Sequence, residues 1–111
     1  MALIWAVRTL AKVRRRLPSE GPSLRIVPPR RFPEGVLPGV ERALSRREAT
    51  CLERSLIVQA FLASHQQPRD VVIAVATAGG FRAHAWVDGY DQPEWDVYRE
   101  LTRLAPRHGR R

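Results

Sequence analysis

Cysteine occurs once in this chain, at Cys51, and lysine once, at Lys12. A lone cysteine rules out an internal disulfide, and with three scattered histidines it makes no recognisable zinc set. No metal and no cofactor are expected, and a reducing, cytoplasmic setting is the default. Aromatic residues are only 7% of the chain and provide no stacking platforms between the arginine clusters Arg14–Arg16, Arg30–Arg31, Arg46–Arg47 and Arg110–Arg111. No helix-turn-helix, finger or RNP-like string accompanies those clusters. The net charge of +8 therefore points to a solvated arginine-rich surface or an acidic partner rather than to nucleic acid. Long hydrophobic runs are also missing, which excludes stable membrane insertion. The opening "MALIWAVRTLAKVRRRLP" puts its apolar residues before its charges, breaks at Arg8 and lacks a small-residue cleavage site, so it is no signal peptide.

What is present suffices for one modest core. At 12.6 kDa and 44% hydrophobic residues the chain is one domain, burying roughly 60–70% of its unfolded surface. Leu3, Ala6, Leu10, Val13 and Leu17 recur at helical spacing, with Arg8, Lys12, Arg15 and Arg16 mostly elsewhere around the wheel. This amphipathic helix lies on the domain, docks a partner or touches a membrane surface. Six of the nine prolines fall between Pro18 and Pro38, predicting an extended connection in which "LRIV" is a short strand. The chain thus divides into an N-terminal segment, 1–38, and a core with a basic tail, 39–111.

Within the core, "GVERALSRRE" (39–48) predicts a short helix. "TCLERSLIVQAFLASHQQP" then opens with Thr50 and Glu53 in capping-box spacing and is bounded by Pro68. Because "SLIVQAFLA" is apolar nearly all round, this helix is expected at the buried centre. The period then changes. "DVVIAVAT" (70–77) is a continuous β-branched run, as in a buried strand, while "FRAHAWV" (81–87) alternates. "PEWDVY" (93–98) reads as a third strand in an antiparallel meander, and "RELTRLAPRHGRR" as a short helix or loop and then a tail. The fold class is α+β.

The cap makes Cys51 the first residue of a buried helix, where the helix dipole and unpaired amides favour a thiolate and can hold an oxyanion. A nucleophile needs a base. His65 stands some ~20 Å along the same helix, and His108 lies in the basic tail, leaving His84 in mid-strand. If "DGYDQ" is a five-residue loop centred on Tyr90, His84 opposes Asp96 on the same sheet face, within reach of an imidazole–carboxylate hydrogen bond. Asp88 and Asp91 fall in the loop. A one-residue slip would turn Asp96 away.

"CLERSL", a helix, a β-branched strand, and then "FRAHAWVDG" with an aspartate twelve residues beyond the histidine together resemble the transglutaminase-like cysteine peptidases. More narrowly, they resemble the leader peptidases of lasso-peptide biosynthesis, in which a Cys-Leu-x-Arg-Ser-Leu helix start and a His-Ala-Trp-Val strand recur. The likeness spans roughly residues 40–104. It implies a transglutaminase-like, papain-like core in which a buried Cys-bearing helix packs on a small antiparallel sheet. Cys51 then takes the nucleophile position, His84 the base and Asp96 the orienter. The implied reaction cuts the leader–core junction of a ribosomally made precursor peptide, with no cofactor. About forty residues precede the likeness, too few for a leader-recognition domain. A separate small winged-helix recognition protein is therefore the expected partner, the ATP-using cyclase a further one, and the N-terminal helix a candidate dock. The competing classes are an acyl transferase or amidase on the same triad and a non-catalytic basic binding module.

Overall fold

The computed structural model describes residues 2–21, 24–30, 32–77, 80–93 and 98–106. Helix α1 (Ala2–Glu20) turns Ala2, Ala6, Thr9, Leu10 and Val13 inward. Leu3, assigned to that stripe by spacing, is 49% exposed instead. Pro18 does not end the helix, which runs two residues further. Proline only deletes the hydrogen bond back to Arg14, a loss tolerable in a last turn. Residues 24–30, which follow it, are extended, with Ile26 in a single β-bridge rather than a strand.

Helix α2 (Leu37–Arg46) starts two residues before the predicted position, since Pro38 fits a first helical turn without losing a needed donor. Glu48, left-handed at φ 56°, and the Ala49 N–H bonded to the Leu44 carbonyl close it early. Helix α3 (Cys51–Ala63) buries Glu53 and every residue from Ser55 to Leu62. It ends on the same device, with Gln66 at φ 58° and Gln67 N–H on the Leu62 carbonyl. Leu10, Val13, Val40, Leu44, Ile57, Val58 and Phe61 form a single core with Val71, Ala85 and Val87. Ala6, Leu10 and Val13 of α1 are thus spent on the chain's own core, while Leu3 and Ile4 stay exposed.

The sheet is three-stranded and antiparallel in the order β2-β1-β3, with β1 Val71–Ala76, β2 Arg82–Val87 and β3 Arg99–Leu104. Placing β1 at the centre explains its continuous apolar run, because both of its faces are covered. Segment 99–104 is a strand, not the predicted helix or loop. It pairs along β1 with a bulge opposite Ile73/Ala74. Its polar composition suits an exposed edge, which leaves no hydrophobic alternation to detect. Of the strand predicted over 93–98, Pro93 and Tyr98 are in no strand, and 94–97 lie outside the described residues. The α+β class with the cysteine helix packed on an antiparallel sheet is what the chain adopts.

Candidate active site

Cys51 is the first residue of α3, placed there by a complete capping box. The Thr50 hydroxyl accepts from the Glu53 N–H at 3.1 Å, and the Glu53 carboxylate accepts from the Thr50 N–H at 2.9 Å. Glu53 also accepts from Arg14 Nε at 3.4 Å, while Arg14 Nη2 donates to the Arg47 carbonyl at 2.6 Å, fastening α1 across the start of α3. The first amide with a partner inside the helix is Arg54 N–H, bonded to the Thr50 carbonyl. Helix geometry therefore leaves the Cys51 N–H without an intrahelical acceptor, beside the half-buried thiol. Among the described residues nothing hydrogen-bonds the Cys51 sulfur.

Three residues along, Arg54 makes a bridge that spacing did not reveal. Its guanidinium donates to Glu41 on α2 at 3.2 Å and to Asp91 in the turn after β2. Asp91 accepts from the Val87 N–H through its other oxygen at 2.8 Å, and Glu41 accepts from the Tyr90 hydroxyl at 3.0 Å. Partial burial and the carboxylates of Glu41 and Asp91 push the Tyr90 hydroxyl up to about 12, against a smaller opposing effect of Arg54. Asp91, set aside above as a loop residue, is thus the anchor of that turn. Gly89 stands within the turn at φ 75°, where a Cβ would come 2.5 Å from Arg69 Nη1. Ser55, one turn from Cys51, is wholly buried, with no partner for its hydroxyl among the described residues.

His84 lies on β2 opposite Ala74, half-buried, with its ring 5.7 Å from that of Trp86 and 5.5 Å from that of Tyr98. Opposed residues share a face, so His84 and Trp86 stand with Val72 and Ala74, while Ala85 and Val87 join the helical core. No hydrogen bond joins His84 to Cys51 in the described structure. Asp96 lies outside the described residues, so its pairing with His84 has no geometry here. The other histidines separate cleanly. His65 is buried and stacked on Phe61 at 4.8 Å, with Nδ1 on the Phe61 carbonyl and Nε2 on that of Phe32, so it ties the end of α3 to the proline-rich segment. His108 is outside the described residues. Tyr98 went unnoticed in the sequence, since its place beside His84 follows from chain path rather than from pattern.

A family model described as the transglutaminase-like superfamily matches residues 1–106. No curated protein and no solved structure gives a significant match. The family match reaches from α1 through β3, so it takes in the N-terminal segment as well as the helix and strands that carried the resemblance.

Proposed function

This chain belongs to the transglutaminase-like superfamily of cysteine-based hydrolases and transferases, and on that footing we propose that it is a cysteine peptidase removing the leader from a ribosomally synthesised lasso-peptide precursor. The observation that carries the reading is the capped N-terminal position of its only cysteine on a buried helix. A thiol there faces the positive end of the helix dipole, and the adjacent amide is aimed where an oxyanion forms. The "CLERSL" and "HAWV" strings narrow the class to leader peptidases.

In this mechanism His84 takes the Cys51 proton and the thiolate attacks the scissile carbonyl. The Cys51 N–H helps hold the tetrahedral oxyanion. His84 then returns the proton to the departing amine, and water hydrolyses the thioester to free enzyme and a leader carboxylate. Asp96 orients the imidazole. His84 is the base because His65 has both ring nitrogens engaged by backbone carbonyls. The reading requires His84, which stands on edge strand β2 on the face away from Ala85 and Val87, to be brought within hydrogen-bond reach of Cys51 when substrate and the recognition protein are seated. A separate recognition protein presents the leader, in the cytoplasm.

The test mixes the chain with a lasso precursor and its recognition protein and reads masses. Cleavage at the leader–core junction is expected, and its persistence in Cys51→Ala would sink the reading. Thioester trapping by added hydroxylamine without hydrolysis in its absence would reassign the chain to acyl transfer. His84→Ala should abolish the fast alkylation of Cys51 by iodoacetamide at mildly acidic pH. An unchanged pH profile removes His84 from the mechanism. Asp96→Ala should impair cleavage more than Asp88→Ala, whose carboxylate serves Arg103 at 2.9 Å.

A further inference from the structure

The positive charge of this chain is not spread over it. Residues 1–33 hold eight basic side chains against one acidic, while residues 34–111 hold eleven against ten, so the N-terminal segment carries +7 of the net +8. The structure lays that segment out as two walls. Along α1, Arg8, Lys12 and Arg16 follow at i, i+4 spacing, and across from them runs the extended stretch with Arg25 and Arg30. Between the walls is a groove of about 460 Å³. The Trp5 indole N–H donates to the Val27 carbonyl at 3.1 Å and holds the walls together.

The floor of this groove is apolar, with Trp5, Leu24 and Ile26 beneath, and Ile4 and Val27 standing 51% and 48% exposed. No acidic residue is among the described lining. Among the described residues, Arg16 alone of its five cations has an ion pair, with Glu20. Like charges gathered along one groove repel one another, so an anionic occupant relieves that repulsion. Nucleic acid fits poorly, because the exposed apolar side chains of the groove are the aliphatic Ile4 and Val27, while the rings of Trp5 and Phe32 are partly buried against the core. A chain of alternating carboxylates and apolar side chains matches both the walls and the floor.

We propose that the groove between α1 and residues 24–30 binds an extended acidic peptide segment bearing apolar side chains. None of its lining residues comes from α3 or β2, so occupancy leaves the start of the cysteine helix open. The groove is a holding site, separate from the peptidase reading.

The experiment measures fluorescence anisotropy of a labelled peptide alternating Glu with Leu and Val, against the full-length chain carrying Cys51→Ala so that no cleavage intervenes. Binding that weakens with salt is expected. Arg8→Glu and Arg25→Glu should each reduce affinity roughly fivefold or more, while Arg99→Glu, on β3 and outside the groove, should change it by less than about twofold. Circular dichroism confirms that each variant folds. An equal loss in Arg99→Glu would mean that net charge alone attracts the peptide, which overturns the proposal. So would equal affinity for a Glu–Ser peptide lacking apolar side chains, or tighter binding of single-stranded DNA or phosphatidylserine vesicles. A chain that cleaves nothing but binds the peptide in this pattern sinks the peptidase reading and leaves the groove standing.

Discussion

Arg54 is the side chain whose removal should be felt furthest. Substituting alanine strips Asp91 and Glu41 of their shared cation, although each carboxylate keeps one partner, the Val87 N–H and the Tyr90 hydroxyl respectively. The three side chains are 24%, 20% and 26% exposed, which places the pairs between surface ion pairs and fully buried ones. Surface pairs are worth ~0.2–1 kcal/mol, and breaking a buried pair costs ~3–5 kcal/mol. Arg54→Ala should therefore cost about 2–3 kcal/mol. With an unfolding entropy of about 2.1 cal/mol/K per residue, that lowers Tm by roughly 10 °C. Arg54→Lys keeps one charge but not the two-way fork and should lose about half as much. Calorimetry and urea unfolding read the stability, and a cycle with Asp91→Asn isolates the pair, with an expected coupling of about 1 kcal/mol. Because the bridge fixes the first turn of α3 against the turn after β2, Cys51 alkylation should also become slower. A Tm fall under about 2 °C in Arg54→Ala, together with no coupling to Asp91, would refute the claim that this bridge organises the site.

Other outcomes follow from the same contacts. Thr50→Ala breaks the capping box at the start of α3 and should cost about 1 kcal/mol, with reduced Cys51 reactivity as a second readout; Thr50→Ser should restore both. Ser55→Ala removes a buried hydroxyl that has no partner among the described residues, so stability should hold or rise on urea unfolding; a loss above about 1 kcal/mol would show that the hydroxyl is satisfied. Tyr90 has a hydroxyl raised above its ordinary value, so folding favours the protonated form. That contribution is complete below pH 10 and is lost as pH climbs toward about 12. Discounted for its 39% exposure, it is on the order of 1 kcal/mol. The stability gap between wild type and Tyr90→Phe should shrink over that window and stay flat below it.

The cysteine helix was legible because its signals are local. Thr50 and Glu53 sit three residues apart, and their mutual hydrogen bonds need only the first turn to form. The β-branched run of β1 likewise announced a strand covered on both faces, and the alternation in β2 announced its two sides. What the pattern missed was β3: segment 99–104, read as a helix or loop, lies along β1 on the far side from β2, while the hairpin count concerns residues 94–97, outside the described residues. A polar edge strand owes its conformation to the ladder it joins, so "RELTRL", made mostly of residues that also favour helices, carries no mark of it.

The sequence by itself thus determined that a single thiol stands at the start of a capped, buried helix, and that nearly all the net charge belongs to the first third of the chain. Only the tertiary structure decided which strands are neighbours and which sheet face carries His84. It alone gathered Glu41, Arg54, Tyr90 and Asp91 into one network. Caps and periodicities are settled by residues within a turn or two of each other. Strand order and ion bridges are settled by segments that meet only when the whole core closes, and a pattern along the chain holds no record of those meetings.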